Sequence, residues 1–371
     1  MHNRQTFLKR AVLLTAAVFF SVQVLAAQDE AAPQPQPDKQ TVVSYADIVR
    51  PKRVSGRRIA IPDVGEYKVL KGDFHMHTIF SDGQVIPQQR VRDAAYNGFD
   101  ALSITDHLNS GSSTIPELSK EIDRNRSYEL AKEEAEKRKL LLVFATEIAG
   151  KGGHFNAHFI TDRNPIATAD EWIAKLAVAA EQGAFIHWNH PGDRAVNGKP
   201  LPFTAEHEAA RARGHLHGVE VINGHWYFPF AHDWCSEKDL APMANSDIHG
   251  NEHTDFGQPN LHRTMTLILA KERTLESLKE AFHAKRTIGW AANMILGRDP
   301  WVEKLFRACV KIEKTDDGLT LKNRSDIPCI IDADGKTAEL PPLGTVNIGS
   351  TKKLTVTNWF IGANKPLIIV L

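Results

Sequence analysis

The chain has 371 residues and carries 45 basic and 45 acidic side chains, so its formal net charge at pH 7 is zero when the histidines are neutral. A balanced charge indicates neither a nucleic-acid partner nor an acidic membrane surface as a partner. Three cysteines are too few for a disulfide scaffold.

The first 27 residues have the three parts of a secretory signal peptide. A basic head with Arg4, Lys9 and Arg10 precedes an apolar run over residues 11–24, and small residues follow at positions 26 and 27. The run is too short to span a bilayer, so we predict cleavage, no membrane span in the mature chain, and a periplasmic or secreted location. An uncleaved anchor is the alternative. Without these residues the chain has 42 basic and 45 acidic side chains.

Residues 28–44 are predicted to form a disordered linker, because the stretch is rich in Gln, Pro and Ala and has no periodicity. Residues 45–295 follow as one predicted domain, in which short apolar runs alternate with longer helical patterns. The candidate strands are residues 67–75, 101–105, 140–145, 155–160, 184–187, 218–222, 243–246 and 265–269. The candidate helices are residues 87–97, 116–139, 168–182, 204–213 and 274–284. This alternation favours a parallel sheet, and at this length a β/α barrel with its reactive residues at the carboxyl ends of the strands.

The pair His75 and His77 is the centre of the predicted site. The two histidines lie two residues apart at the end of the first candidate strand, so both imidazoles point to one face as a chelating pair. The turn Ser81-Asp82-Gly83 follows and can return a carboxylate to the same site. Taken alone, such a pair is as well explained by surface or core histidines.

Further ligand-type residues stand at the ends of other candidate strands, and 15 of the 17 histidines lie between His75 and His262. These residues are Asp106, His107, Glu147, His158, His187, His190, Asp247 and His249. Each polar group left unpaired in a barrel mouth would cost about 1–3 kcal/mol, so a metal cluster is the economical explanation. Imidazoles and carboxylates without thiolates suit Zn, Mn or Fe, and their number requires two or three divalent ions. Hydrolysis follows from such a site more naturally than redox chemistry.

These motifs resemble those of the polymerase and histidinol phosphatase (PHP) family of metal-dependent phosphoesterases. The resemblance covers residues 67–290 and is carried, in the family's order, by His75-X-His77 with Ser81-Asp82-Gly83, Ile104-Thr105-Asp106-His107, Glu147, His190-Pro191 and Ser246-Asp247-X-His249. It implies a distorted (β/α)7 barrel with three metal ions at its mouth. It also implies three ligand sets, two of which contain the bridging Glu147: His75, His77, Glu147 and Asp247; Asp82, His107 and His249; and Glu147, His158 and His190.

Two histidines compete for one of these ligand positions. His158 has the spacing from Glu147 that family members usually have, whereas His154 stands in a Gly-His-X-Asn element that some secreted relatives emphasise. We predict His158 as the ligand, with His154 beside it or facing the substrate.

Asp106, His187 and His225 are the predicted catalytic residues. Asp106, like Asp73, can orient a ligand imidazole, although Asp73 is equally explained as a strand-entry residue. His187 is either a core contact or a substrate contact. His225 lies in a loop after the strand at residues 218–222, where it can bind substrate and protonate a leaving oxygen.

The predicted reaction is hydrolysis of a small phosphate mono- or diester, with a metal-bridging hydroxide as the nucleophile. Arg263 can neutralise the phosphate, although a surface arginine is the default explanation. A metallohydrolase for a non-phosphate ester or amide bond is one alternative function. A non-catalytic metal-binding protein of the cell envelope is the other.

Residues 305–371 show a different pattern, with short runs separated by Asp-Gly and Pro-Pro turns. This predicts a small antiparallel, sandwich-like β domain that packs on the first domain or mediates self-association. Trp359 and Phe360 hint at carbohydrate binding, with core burial as the favoured explanation. Cys309 and Cys329 can pair in an oxidising compartment, or all three cysteines are buried thiols.

Overall fold

Short apolar strands alternate with amphipathic helices through most of the chain and build a mixed α/β fold. The computed structural model describes residues 57–108, 113–115, 117–118, 123–192, 201–257 and 262–371, which all belong to one compact unit, Ser55–Leu371. The predicted signal peptide and linker lie outside these residues. Among the described helices, none is long and apolar enough to cross a membrane.

The described strands are short. They are β1 (Lys68–Asp73), β2 (Ala101–Ile104), β3 (Leu141–Gly150), β4 (Gly153–His158), β5 (Phe185–Asn189), β6 (Gly218–Asn223), β7 (Trp226–Tyr227), β8 (Ala241–Asn245), β9 (Met265–Ala270), β10 (Thr287–Ala291), β11 (Met294–Gly297), β12 (Val310–Thr315), β13 (Gly318–Asn323), β14 (Cys329–Ala333), β15 (Lys336–Leu340), β16 (Thr345–Ile348), β17 (Lys353–Phe360) and β18 (Pro366–Val370).

The helix predicted for residues 116–139 begins at Arg126, and the one predicted for residues 168–182 begins at Trp172. Nine helices lie among the described residues. They are α1 (Pro87–Tyr96), α2 (Arg126–Arg138), α3 (Asn164–Thr168), α4 (Trp172–Glu181), α5 (Ala205–Ala212), α6 (Pro229–Glu237), α7 (Glu252–Phe256), α8 (Leu275–His283) and α9 (Asp299–Cys309). Proline opens α1 at its first position, and the Thr274 hydroxyl caps α8 by accepting the backbone N–H of Ser277. In α8, Leu278, Ala281 and Phe282 are buried at helical spacing.

One large mixed sheet carries the site. Its strands follow the order β15-β14-β17-β11-β10-β9-β1-β2-β3-β4-β5-β6-β7, with β18 beside β17 and β8 beside β6. Strands β1 to β3 are parallel to one another, as are β5, β6 and β8. β4 runs antiparallel to both neighbours, because only Lys151 and Gly152 separate it from β3, too short a connection for a parallel crossover. β9 is also antiparallel to β1, so the prediction of a parallel sheet is wrong for these two strands.

The segments after β1 and β8 are joined. Met76 and Ile248 form a parallel bridge, the His77 N–H donates to the Ile248 carbonyl at 3.1 Å, and the Asp247 N–H donates to the His75 carbonyl at 2.9 Å. The strand path from β1 through β6 to β8 therefore returns to β1. This return brings side chains from both ends of the path to one edge.

The C-terminal strands divide between two sheets. β12, β13 and β16 form a separate antiparallel sheet, whereas β14, β15, β17 and β18 extend the large sheet through the parallel pairing of β11 with β17. Trp359 is fully buried and packs against Phe306, which agrees with core burial as the favoured explanation for this residue. The three cysteines are buried free thiols. The domain boundary between residues 295 and 305 and the proposed self-association stay predictions.

Candidate metal centre

Histidines and carboxylates from several strand ends meet at one edge of the large sheet. His75 and His77 follow β1, His107 follows β2, and Asp247 and His249 follow β8, while Glu147 lies near the end of β3. Their ligand-type atoms fall into overlapping groups, within each of which the atoms lie no more than 4.8 Å apart. The groups are His75, His190 and Asp247; His75, His77 and Glu147; His77, Asp82 and His249; and His107, Glu147 and His154.

Glu147 is the centre of this cluster. Its Oε2 atom lies 3.1 Å from His77 Nε2, 3.2 Å from His107 Nδ1 and 3.4 Å from His75 Nε2. Its Oε1 atom lies 3.0 Å from His154 Nδ1 and 3.6 Å from His190 Nε2. A single buried carboxylate thus faces five imidazoles, which is the position that a bridging ligand requires.

Several buried atoms of the cluster have no hydrogen-bond partner. They are His75 Nε2, His107 Nδ1, Glu147 Oε2, Asp247 Oδ1 and Asp82 Oδ1. Unpaired buried polar atoms are costly, yet here they face one another at short range. Ligand atoms about 2.1 Å from one ion lie about 3.0–3.4 Å apart in octahedral or tetrahedral geometry, which matches these separations. The residues therefore fit divalent metal ions.

The electrostatics of the cluster agree with this fit. Burial alone would raise the pKa of Glu147, but the facing imidazoles of His107 and His75 hold it well below its usual value. Burial alone would lower the pKa of His107, but Glu147 and Asp82 raise it to about 9. Without metal, Glu147 is therefore ionised and His107 holds a proton at neutral pH, which a bound cation would displace.

The backbone is strained at two residues of the cluster. His190 has φ of 27° and Asp247 has φ of 51°, both in the left-handed region that side-chain-bearing residues rarely adopt. Such strain is typical of functional sites and persists where neighbouring contacts hold it. At the turn after His77, Gly83 lies so close to the His77 carbonyl that a Cβ atom would come within 2.4 Å of it. This contact explains why glycine follows Asp82.

Asp106 supports the cluster from one side without touching it. Its Oδ1 atom accepts hydrogen bonds from the Thr78 N–H at 2.7 Å and from the Ser81 hydroxyl at 2.9 Å. The Ser81 Oγ atom lies 3.1 Å from His77 Nδ1 and so accepts its proton, which leaves Nε2 for a metal. This buried carboxylate can therefore orient His77 through Ser81, and a catalytic role for Asp106 stays a prediction.

The structure reverses the choice between His158 and His154. His154 lies in the cluster, whereas His158 is fully buried and bonds to Ser103 and His187. The reason is the direction of β4, which runs antiparallel to β3 and therefore brings its first residues, not its last, to the ligand edge.

Two further predicted roles are corrected by burial. His187 is fully buried, and its Nδ1 atom lies 3.1 Å from His158 Nε2, so it is the core contact and not a substrate contact. Arg263 is also fully buried and pairs with Asp73 and Glu252, so its guanidinium does not reach a substrate.

His225 lies beside the cluster in a cavity of about 450 Å³. The residues that line the cavity include Asn223, Trp226 and Phe256. Asp247 and His249 of the cluster line it as well. His225 is exposed, and its Nε2 atom lies 3.3 Å from the Asp255 carbonyl. This position agrees with a role near the substrate, and the role stays a prediction.

Two buried residues of the site were missed by the sequence reasoning. Glu220 accepts a hydrogen bond from His75 Nδ1 at 2.8 Å, and Arg90 donates to the carbonyl oxygens of His77, Ile248, His249 and Gly250. The signal for Glu220 was a lone acidic residue inside the apolar run of β6. Arg90 had no comparable signal, since a polar helix such as α1 ordinarily exposes its arginines.

The fold and the cluster define a mixed α/β protein with a buried centre that fits divalent metal ions. The chain is 35% identical to a two-domain protein of Bacteroides vulgatus that contains a predicted PHP-like metal-dependent phosphoesterase. That match covers 85% of this chain and 98% of the other, with a TM-score of 0.78. The chain therefore belongs to the family of PHP-like metal-dependent phosphoesterases.

Other comparisons are weaker. A Bifidobacterium adolescentis protein proposed to be a metal-dependent phosphoesterase is 19% identical, with 51% of this chain and 89% of that one covered and a TM-score of 0.37, too low to support an argument. An uncharacterised protein of Methanocaldococcus jannaschii is 50% identical over 38 residues, which are 10% of this chain and only 17% of that relative. No protein-family model matches the chain.

Proposed function

We propose that the protein is a metal-dependent hydrolase that cleaves a small phosphate mono- or diester. The observation that carries the proposal is the set of buried, unpaired imidazole and carboxylate atoms that face one another around Glu147. The likeness to the Bacteroides vulgatus protein supports a phosphate ester over the non-phosphate and non-catalytic alternatives.

The proposed centre holds two or three ions of Zn, Mn or Fe. The first ligand set is His75, His77, Glu147 and Asp247, and the second is Asp82, His107 and His249. The third is Glu147, His190 and His154, with His154 in place of the originally predicted His158. Ions held there would activate a water molecule as the nucleophile and stabilise the charge that develops on a phosphoryl group.

The chain's own residues would bind and protonate the organic part of the substrate. We assign this part to the cavity at His225, because Asp247 and His249 line the same cavity. The exposed imidazole of His225 is the proposed proton donor to the leaving oxygen, and the exposed indole of Trp226 offers a surface for apolar groups.

Two finer points are also proposals. The return of the strand path from β8 to β1 supports a distorted (β/α)7 barrel. The separate sheet of β12, β13 and β16 supports a sandwich-like C-terminal domain. The pattern of residues 1–27 supports export to the periplasm or the medium. Cell fractionation of the natural host would test the location, and a cytoplasmic protein would overturn it.

The test of the function is metal analysis of the purified protein, coupled to phosphate release from a panel of phosphomonoesters and phosphodiesters with and without chelator. We expect two or three ions per chain and chelator-sensitive hydrolysis that His75→Ala abolishes. His283→Ala is the matched control, because His283 is an exposed histidine at the end of α8 and lies outside the cluster. Bound metal without phosphate release would favour another ester or amide, and a protein that binds no metal would refute the site.

A further inference from the structure

Glu220 is a fully buried carboxylate that belongs to none of the ligand groups. It lies in the middle of β6, between Val219 and Val221, which are both buried in the apolar core. Burial would raise the pKa of Glu220, but the imidazoles of His75 and His187 lower it well below its usual value. A buried charge of this kind is tolerated only where several donors compensate it.

Four hydrogen bonds compensate the charge of Glu220. Oε1 accepts from His75 Nδ1 at 2.8 Å and from the Asn245 amide at 2.9 Å. Oε2 accepts from the His190 backbone N–H at 2.8 Å and from the Asn223 amide at 2.9 Å. Both oxygens of the carboxylate are therefore occupied by two donors each.

Two of these contacts reach residues of the cluster directly, and a third reaches Asp247 through Asn223. A carboxylate can only accept, so His75 carries a proton on Nδ1 and turns its Nε2 atom towards Glu147 and Asp247. The bond to the His190 N–H holds that residue in its strained conformation, with φ of 27°. The Asn223 amide that binds Glu220 also donates to Asp247 Oδ2 at 3.1 Å.

We propose that Glu220 is the positioning residue of the metal centre. From β6 it sets the tautomer of His75, the backbone of His190 and, through Asn223, the carboxylate of Asp247. These ligands follow three other strands, β1, β5 and β8, so one buried group ties together strand ends that are distant in the sequence. The proposal rests on the proposed function, since it assumes that these residues bind metal.

The test is the variant Glu220→Gln. Whichever way the new amide turns, its NH2 group meets two donors, so two of the four hydrogen bonds are lost. Zn2+ affinity is measured by competition with a chelator, and ligand geometry is measured from the visible absorption spectrum of the Co2+-loaded protein. We expect the same number of ions at saturation, an affinity about 10- to 100-fold weaker, and a shifted Co2+ spectrum.

Glu134→Gln is the matched control, because Glu134 is a carboxylate on α2 that pairs with Arg92 and Arg138 outside the cluster. We expect its affinity and Co2+ spectrum to equal those of the wild type. Asn223→Ala removes only the hydrogen bond to Asp247 and one hydrogen bond to Glu220. We therefore expect it to weaken Zn2+ binding less than Glu220→Gln does. Asn223→Ala decides the matter if Glu220→Gln does not fold.

The outcomes separate the two proposals. Wild-type protein that binds no divalent ion would refute the proposed function. Wild-type protein that binds Zn2+, together with a folded Glu220→Gln variant of unchanged affinity and unchanged Co2+ spectrum, would overturn only the role of Glu220. A loss of stability without a loss of affinity would have the same meaning, because a merely structural carboxylate would behave in that way.

Discussion

Arg263→Ala separates two roles for one arginine, phosphate binding and support of the core. The guanidinium is fully buried, its Nε atom donates to Asp73 Oδ2 at 2.7 Å, and its Nη1 atom donates to Glu252 Oε2 at 3.0 Å. Asp73 in turn accepts the backbone N–H of Ser246, the residue before Asp247. The arginine therefore supports the ligand edge from inside the protein.

Replacement of Arg263 by alanine leaves the charge of Asp73 buried without its main partner. Breaking a buried ion pair from one side costs about 3–5 kcal/mol, and we expect the free energy of unfolding to fall by that amount. Urea denaturation of the metal-free protein measures this change. Arg307→Ala is the control, because Arg307 is half-exposed and pairs with Glu303 one turn away, so its loss should cost less than about 1 kcal/mol.

The result that would refute this reasoning is a stable Arg263→Ala protein. An unchanged free energy of unfolding, together with a raised KM for a phosphate ester, would mean that the guanidinium contacts substrate. A large loss of stability with an unchanged KM in the folded fraction would support the buried role.

Three further predictions concern single side chains. His154→Ala should lower the number of bound ions in metal analysis. His158→Ala should keep that number and lower the free energy of unfolding in urea by about 1–3 kcal/mol, because His158 bonds only within the core. Metal loss in the His158 variant alone would favour His158 as the ligand. Burial and nearby imidazoles lower the pKa of His217 to about 4, so the unfolded chain binds this proton first, and stability present above pH 6.5 is lost as the pH falls towards 4. This loss amounts to about 3 kcal/mol. The variant His217→Asn keeps an acceptor for the Ile186 N–H, and its free energy of unfolding in urea should depend less on acid pH. Equal acid sensitivity of the variant and the wild type would contradict this prediction. Trp226→Ala should raise KM about 2- to 10-fold for phosphate esters with an apolar or aromatic group and leave kcat nearly unchanged, and an unaltered KM would exclude the indole from the substrate site.

The candidate ligands could largely be found in the sequence because their chemistry is local. Histidines two residues apart at a strand end point to one face whatever the rest of the chain does. Turn signals after His77, and polar residues directly after apolar runs, located Asp82, His107, Glu147, His190, Asp247 and His249 at one edge. The C-terminal strands were likewise readable, since Asp-Gly turns and alternating runs are short-range signals. β15 gives no alternating apolar signal, because its residues are mostly polar and exposed.

The direction of a strand is not a local property. β4 carries His154 at its beginning and His158 at its end, and only the antiparallel pairing with β3 decides which of them meets Glu147. The spacing of the two histidines is compatible with either choice. The local signal for this direction is the short turn at Lys151 and Gly152, which is too short for a parallel crossover.

By itself, the sequence determined which side chains can bind metal and the order in which the strands present them. Only the tertiary structure decided which charged groups lie in the cluster and which support it from the core. Arg263 meets Asp73 across 190 positions of the chain, and Glu220 meets His75 across 145. Whether such a group faces solvent or another charge depends on the packing of strands that are distant in the sequence. The residues next to the group in the sequence do not indicate this packing.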